Sequence, residues 1–257
     1  MTGSAGSIGR VVVPGLRALG HDVVGLDLPG QGADLAADCT DPAALDIAVG
    51  ATSPEAIIHL AGIPTESSLP DALESHVLST AALLESMVRH GVPRIVYASS
   101  NHAVGRTARS DLLGSEVSGR PDTFYGVAKV AAEGLLSLYA DRHGLHAVST
   151  RIGSFLPRPT TRRQLGSWLS HDDATAMFAA ALTGAPQGHT VIYGISANNR
   201  GWWDLAPGRA LGYDPVDDAE RFAEEIEAEP ESDEDRAQAR YVGGPYATPA
   251  FERSAFD

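Results

Sequence analysis

One lysine occurs in the 257-residue chain, Lys129, and it stands four residues after Tyr125 in Tyr125-Gly126-Val127-Ala128-Lys129. Every other basic side chain, histidine aside, is an arginine. Residues at i and i+4 share a helix face. There a compact ammonium lowers a phenol's pKa from about 10 and equips Tyr125 as a general base. A planar guanidinium does not imitate that ammonium, which is a reason for so arginine-rich a chain to keep a lysine at this position. Upstream, Ser99-Ser100-Asn101-His102 adds a hydroxyl, an amide and an imidazole in consecutive positions.

These residues need a frame. Short apolar, often β-branched runs at His21–Asp27, Glu55–Leu60, Arg94–Ser99 and His146–Ile152 predict parallel strands. Helical patterns at Ser7–Leu19, Pro42–Val49, Leu69–His90 and Asp122–His143 alternate with them as right-handed crossovers require. The expected fold is α/β, a doubly wound parallel sheet of the Rossmann type, with ligands bound at the carboxyl edge of the strands. Ser100 follows the strand at Arg94 and lies on that edge. Residues 1–155 read as a dinucleotide-binding core. Residues 156–257 read as a small mixed substrate cap within the same domain: a Pro/Arg-rich loop, a helix near Asp172–Thr183, a strand near Thr190–Ile195 and short helices. Asp217–Asp235 is strongly acidic and is expected to be a solvated helix face and a mobile connection rather than a binding site.

Thr2-Gly3-Ser4-Ala5-Gly6-Ser7-Ile8-Gly9 has the glycine spacing that lets backbone approach a pyrophosphate at a helix N-terminus. Gly3, Gly6, Ser7, Ile8 and Gly9 are the expected contacts. Asp27 ends the next strand, beside Leu28, where a carboxylate accepts hydrogen bonds from ribose hydroxyls and repels a 2′-phosphate, so NAD is favoured over NADP. Asp38 and Cys39 fall at the adenine edge, and Ala61-Gly62 closes a strand near the pyrophosphate. The glycine loop begins at the second residue, so the central strand that should precede it is absent. The expectation is a start site set several residues too late, or a shortened chain, because losing a central strand exposes ladder groups on both neighbours.

A net charge of −14 and a pI near 4.9 argue against nucleic-acid partners. Cys39 is the single cysteine, so no internal disulfide is expected, and no Cys/His cluster has metal-site spacing. With no basic leader before an apolar h-region and no apolar run of about 18 residues, a soluble cytoplasmic protein without a membrane partner is expected.

Ser100, Tyr125, Lys129 and the Thr-Gly-x-x-Gly-x-x-Gly loop together resemble the catalytic triad and cofactor loop of extended short-chain dehydrogenases. Within them the chain resembles the uronate dehydrogenases, through Ala98-Ser99-Ser100-Asn101-His102, Arg151-Ile152-Gly153-Ser154, Trp168-Leu169-Ser170-His171-Asp172-Asp173 and the stretch from Tyr193 to Asp204. That resemblance implies NAD-dependent oxidation of the anomeric carbon of D-glucuronate or D-galacturonate to an aldarolactone. Tyr125 would take the hydroxyl proton, Ser100 would hydrogen-bond the developing carbonyl oxygen, and Lys129 would hold the nicotinamide ribose. By the same resemblance Asn101, His102 and Ser154 line the sugar, Arg163 meets its carboxylate, Phe155 contacts the cofactor, and Thr65, in the loop after Gly62, lies near the substrate. A uronate needs a cation, and from residue chemistry either Arg162 or Arg163 supplies a bidentate fork. His76 stands where these dehydrogenases usually place an asparagine. A homo-oligomer is implied through the helices at Leu69–His90 and Asp122–His143. Two alternatives share the fold: a nucleotide-sugar epimerase or dehydratase, disfavoured by the small cap, and a non-catalytic NAD sensor, which would need neither the base nor its activator.

Overall fold

In the computed structural model, which describes residues 1–109, 112–185 and 188–257, the apolar runs become parallel strands. β1 (Leu26–Asp27) pairs with β2 (Leu35–Ala36), while β3 (Ile57–His59), β4 (Arg94–Ser100) and β5 (His146–Ile152) lie side by side. The short β6 (Ser154–Phe155) and β7 (Trp168–Leu169) pair with each other, and β8 (His189–Gly194) returns to lie beside β5. Thr2 joins the two blocks, bridging in parallel to Leu26 and to His59. Its N–H donates to the Ile58 carbonyl at 3.0 Å, and the Leu26 N–H donates to the Met1 carbonyl at 2.8 Å. The order across the sheet is therefore β2-β1-Thr2-β3-β4-β5-β8.

Met1 and Thr2 thus form one rung at the centre of the sheet, where a whole strand was expected to be absent. The predicted strand His21–Asp27 is observed as Leu26–Asp27, and Glu55–Leu60 as Ile57–His59. Beside the rung lies a cavity of about 370 Å³ lined by Val23, Leu26, Leu45, Val49, Ile57 and Leu83, among others. The Met1 ammonium donates to the Val24 carbonyl at 2.7 Å, and burial lowers its pKa to about 6.

Helices cover both faces. α1 (Gly9–Ala18), α2 (Pro42–Thr52), α3 (Leu69–Ala72), α4 (Ser79–His90), α5 (Phe124–His143), α6 (Gln164–Ser167) and α7 (His171–Thr183) follow in chain order. Alternation along β4 divides the core: Val96 and Ala98 pack with Val12, Leu16, Met177 and Phe178, while Ile95 and Tyr97 pack with Leu45, Leu83, Met87 and Leu136. Both faces of the strand are buried, as a doubly wound sheet demands. The segment after residue 155 therefore supplies an edge strand and a covering helix to the core.

This segment departs from the sequence reading in one respect. The acidic stretch is not only a solvated connection, for its carboxylates clasp arginines: Glu225 pairs with Arg158, Glu220 with Arg200, and Glu227 with both Arg162 and Arg200 at 2.8 and 2.7 Å. Trp202 and Trp203 stack with centroids 4.9 Å apart inside a buried cluster with Tyr193 and Val242, so they are packing anchors. Among the described residues no helix is long and apolar enough to cross a membrane.

Candidate active site

The carboxyl ends of the strands open into one cleft of about 790 Å³. At one end Asp27 closes β1, its Oδ2 accepting from the Ala5 N–H and its Oδ1 from the Leu28 N–H, both at 2.8 Å. The carboxylate is thereby pinned to the glycine loop. Gly3 sits at φ +67°, and a Cβ there would lie 2.7 Å from the Ala61 nitrogen, so this turn needs glycine. From Gly3, Gly6, Ser7, Ile8 and Gly9 the wall runs through Leu28, Asp38, Cys39, Ala61 and Gly62 to Ser100, Asn101, His102, Tyr125, Lys129 and Phe155. Three sequence-predicted residues stand outside it. Thr65 is exposed on its loop, where Ile63 and Pro64 line the cleft instead. Ser154 hydrogen-bonds Ser167 at 3.0 Å, and Arg163, which does not line the cleft, donates to the Val242 carbonyl near Asp122.

At the other end α5 carries Tyr125 and Lys129 one turn apart. Thr123 caps the helix, accepting from the Gly126 N–H at 2.9 Å. Glu66, on the loop after β3, adds a second cap: its two carboxylate oxygens accept from the Phe124 and Tyr125 N–H groups, each at 2.9 Å. Lys129 is buried, donates from Nζ to the Ala98 carbonyl at 2.7 Å, and lies 4.7 Å from the Tyr97 ring centroid and 5.2 Å from that of Tyr125. Burial pushes the Tyr125 phenol up to about 12, against a hydrogen bond with Ser100 that pulls it down. Burial also lowers the Lys129 ammonium to about 7, with the Glu133 carboxylate opposing. The lowering of the tyrosine pKa expected from the lysine does not set its direction: desolvation does, and the opposing influence is the Ser100 hydrogen bond.

A family profile for the NAD dependent epimerase/dehydratase family matches residues 1–193. The chain belongs to that family. It is 34% identical over 252 residues to the uronate dehydrogenase of Pseudomonas syringae pv. tomato, covering 96% of this chain and 91% of that protein. A crystal structure of Agrobacterium tumefaciens uronate dehydrogenase, a tyrosine-to-alanine mutant complexed with NAD, aligns with a TM-score of 0.88 at 35% identity over 98% of this chain and 97% of that one. Glucuronic acid dehydrogenase from Chromohalobacter salexigens aligns at 0.89 with 36% identity over 96% and 94%. The chain is a member of the uronate dehydrogenase group within the epimerase/dehydratase family.

The residues present fit the family's NAD. A pinned acidic side chain, a glycine turn and the N-terminus of α1 line one stretch of the cleft, and the Tyr125-Lys129 pair lines the other. Gln31, Glu74, Ser75 and His76 also line the cleft and were not in the predicted set. The helix predicted over Leu69–His90 contains a π-helical turn at Leu73–Leu78, which brings Ser75 and His76 to the cleft. There Ser75 Oγ accepts from the Ile63 N–H at 2.7 Å, and His76 Nε2 meets the Ile63 carbonyl at 2.9 Å. The His76 ring stands edge-on to Tyr125 at 5.2 Å. A Cβ on Gly62, at φ +146°, would fall 2.3 Å from the His76 ring, so the loop glycine and this histidine suit each other.

His59 and His76 are both buried, and desolvation, with the Lys129 charge adding to it, lowers them to about 3 and about 2. Both stay neutral in the native protein at pH 5, whereas in the unfolded chain each takes up a proton near pH 6.5. Their contribution to stability is present above pH 6.5 and is lost as pH falls through and below it. Together they should remove about 3 kcal/mol of unfolding free energy between pH 6.5 and 5. Urea titrations at the two pH values measure this, and His76→Asn should cut the loss by about half. An unchanged slope in that variant would show that His76 takes up a proton without unfolding.

Proposed function

We propose that this chain oxidises the anomeric carbon of a hexuronate, D-glucuronate or D-galacturonate, to the aldarolactone, with Tyr125 as general base. One observation carries the reading: a dinucleotide-sized cleft ends at Ser100, Tyr125 and Lys129 in a chain of the uronate dehydrogenase group. NAD, when bound, supplies the hydride acceptor. Tyr125 Oη accepts the hydroxyl proton, Ser100 Oγ steadies the oxygen from which it leaves, and the Lys129 ammonium favours the phenolate. Asn101 and His102 face the sugar, with Ser154 and Thr65 at its margin.

Of the two arginines that the residue chemistry left open, Arg162 is committed to Glu227 and the Glu229 carbonyl. Arg163 donates one Nη2 hydrogen bond to the Val242 carbonyl at 2.7 Å, and its buried Nε has no partner among the described residues. We therefore assign the substrate carboxylate to Arg163. On adding either uronate to enzyme and NAD, absorbance of NADH should rise, and Arg163→Ala should raise KM for the uronate about tenfold or more while leaving KM for NAD unchanged. Turnover of a nucleotide sugar with neither uronate oxidised would overturn the function, and equal changes in both KM values would remove Arg163 from the carboxylate.

The same reading carries a cytoplasmic setting and pairing of two copies through the helices that bear exposed Leu78, Val88, Val127 and Leu138. A light-scattering mass decides the pairing.

A further inference from the structure

His102 presents two different edges. On one side its Nδ1 lies 2.9 and 3.0 Å from the two carboxylate oxygens of Asp122, whose side chain is wholly buried. On the other the ring lines the cleft, about a fifth exposed, 6.1 Å from the Tyr125 ring and 5.0 Å from that of Tyr246, edge-on to both.

The seat of Asp122 is built from two distant glycines. A Cβ on Gly105 would fall 2.1 Å from the Asp122 Cγ, and one on Gly243 would fall 1.6 Å from its Oδ2. The Gly243 N–H donates to the Gly105 carbonyl at 2.9 Å, so the C-terminal segment and the loop after β4 close together over the carboxylate. Thr123 Oγ1 donates to Oδ1 at 3.4 Å. Arg163 is close enough for the Asp122 charge to support its own. This is a specific arrangement for a side chain that neither the motifs nor the reaction outlined above required.

We propose that Asp122 is a positioning residue that holds His102 with its proton on Nδ1, so that Nε2 meets a sugar hydroxyl as an acceptor. A carboxylate only accepts hydrogen bonds, so the imidazole nitrogen facing it carries the hydrogen, and in the neutral ring the other nitrogen keeps its lone pair. The inference rests on the uronate reading for the identity of the sugar, and on geometry alone for the tautomer. Its consequence for selectivity is that the substrate must present an O–H donor at Nε2. A deoxy analogue lacking that hydroxyl leaves a buried acceptor unpaired and is rejected.

Long-range ¹⁵N–¹H correlation spectra of histidine-labelled enzyme at alkaline pH, without sugar, read the tautomer directly. In the wild type His102 should carry its hydrogen on Nδ1, and in Asp122→Asn, where the amide can donate, the hydrogen should move to Nε2. Steady-state kinetics should show KM for the uronate raised about tenfold or more in Asp122→Asn, with the Kd for NAD unchanged. In a His102→Ala background the same substitution should add almost nothing, because its effect passes through the imidazole. A wild-type hydrogen on Nε2 would overturn the proposal whether or not uronates are turned over. So would an Asp122→Asn effect of the same size with and without His102. Correct tautomers in an enzyme that oxidises neither uronate would leave the positioning intact and remove only the sugar.

Discussion

Tyr125→Phe should bind NAD with unchanged affinity and lose turnover, with kcat down by about 10³-fold or more. The substitution removes one oxygen from a ring held on several sides: Glu66 and Thr123 fix the first turn of α5, and the rings of His76 and His102 stand against Tyr125 at 5.2 and 6.1 Å. Phenylalanine keeps those contacts, so folding and the glycine loop, which lies elsewhere in the cleft, should not change. Only the acceptor for the substrate proton is lost. With the pKa pushed up to about 12, the phenolate that must take the proton is scarce at neutral pH unless a nearby cation stabilises it. Tryptophan fluorescence titration with NAD and single-turnover absorbance at saturating sugar separate binding from chemistry. Retention of more than a tenth of the wild-type rate would mean that another group takes the proton.

Lys129→Arg should keep the charge and still lose about 10²-fold or more in kcat. Nζ sits in a slot closed by the Ala98 carbonyl at 2.7 Å and by the faces of Tyr97 and Tyr125. A guanidinium is wider than an ammonium, cannot rotate its donors independently, and would have to displace one of those rings. Burial lowers the lysine to about 7, so its charge responds to events in the cleft near neutral pH, whereas an arginine stays charged throughout. The wild type and the variant should therefore differ in pH dependence as well as in rate: kcat of Lys129→Arg should lack any inflection that the lysine contributes near pH 7. A variant with normal kcat and the same profile would reduce Lys129 to a structural cation.

Much of the site was readable along the chain because it depends on local spacing. Tyr125 and Lys129 meet through the helical repeat, Gly3 turns the chain within a few residues, and Asp27 closes a short apolar run in the sequence. The resemblance to uronate dehydrogenases rested on such segments, and the family match and the aligned crystal structures agree with it.

Where two distant segments must dock, the chain alone was mute. Adjacent arginines carry equal claim to a carboxylate until Glu227 is seen to occupy Arg162. The π-turn in the helix after β3 sets His76 against Gly62, a pairing that requires the loop to lie over the helix. Asp122 reads as the first residue of a helix until Gly105 and Gly243 close over it, and Tyr246 meets the His102 ring only because the C-terminal segment folds back onto it. The linear sequence determined the chemistry available at Tyr125, Lys129, Ser100 and Asp27, since helical periodicity sets Tyr125 and Lys129 on one face and strand ends place Ser100 and Asp27 at the carboxyl edge. Tertiary packing decided which arginine keeps an unpaired Nε, which imidazole edge meets Asp122 and which way the Tyr125 and Lys129 pKa values move, because contact partners and desolvation exist only once remote segments exclude water together.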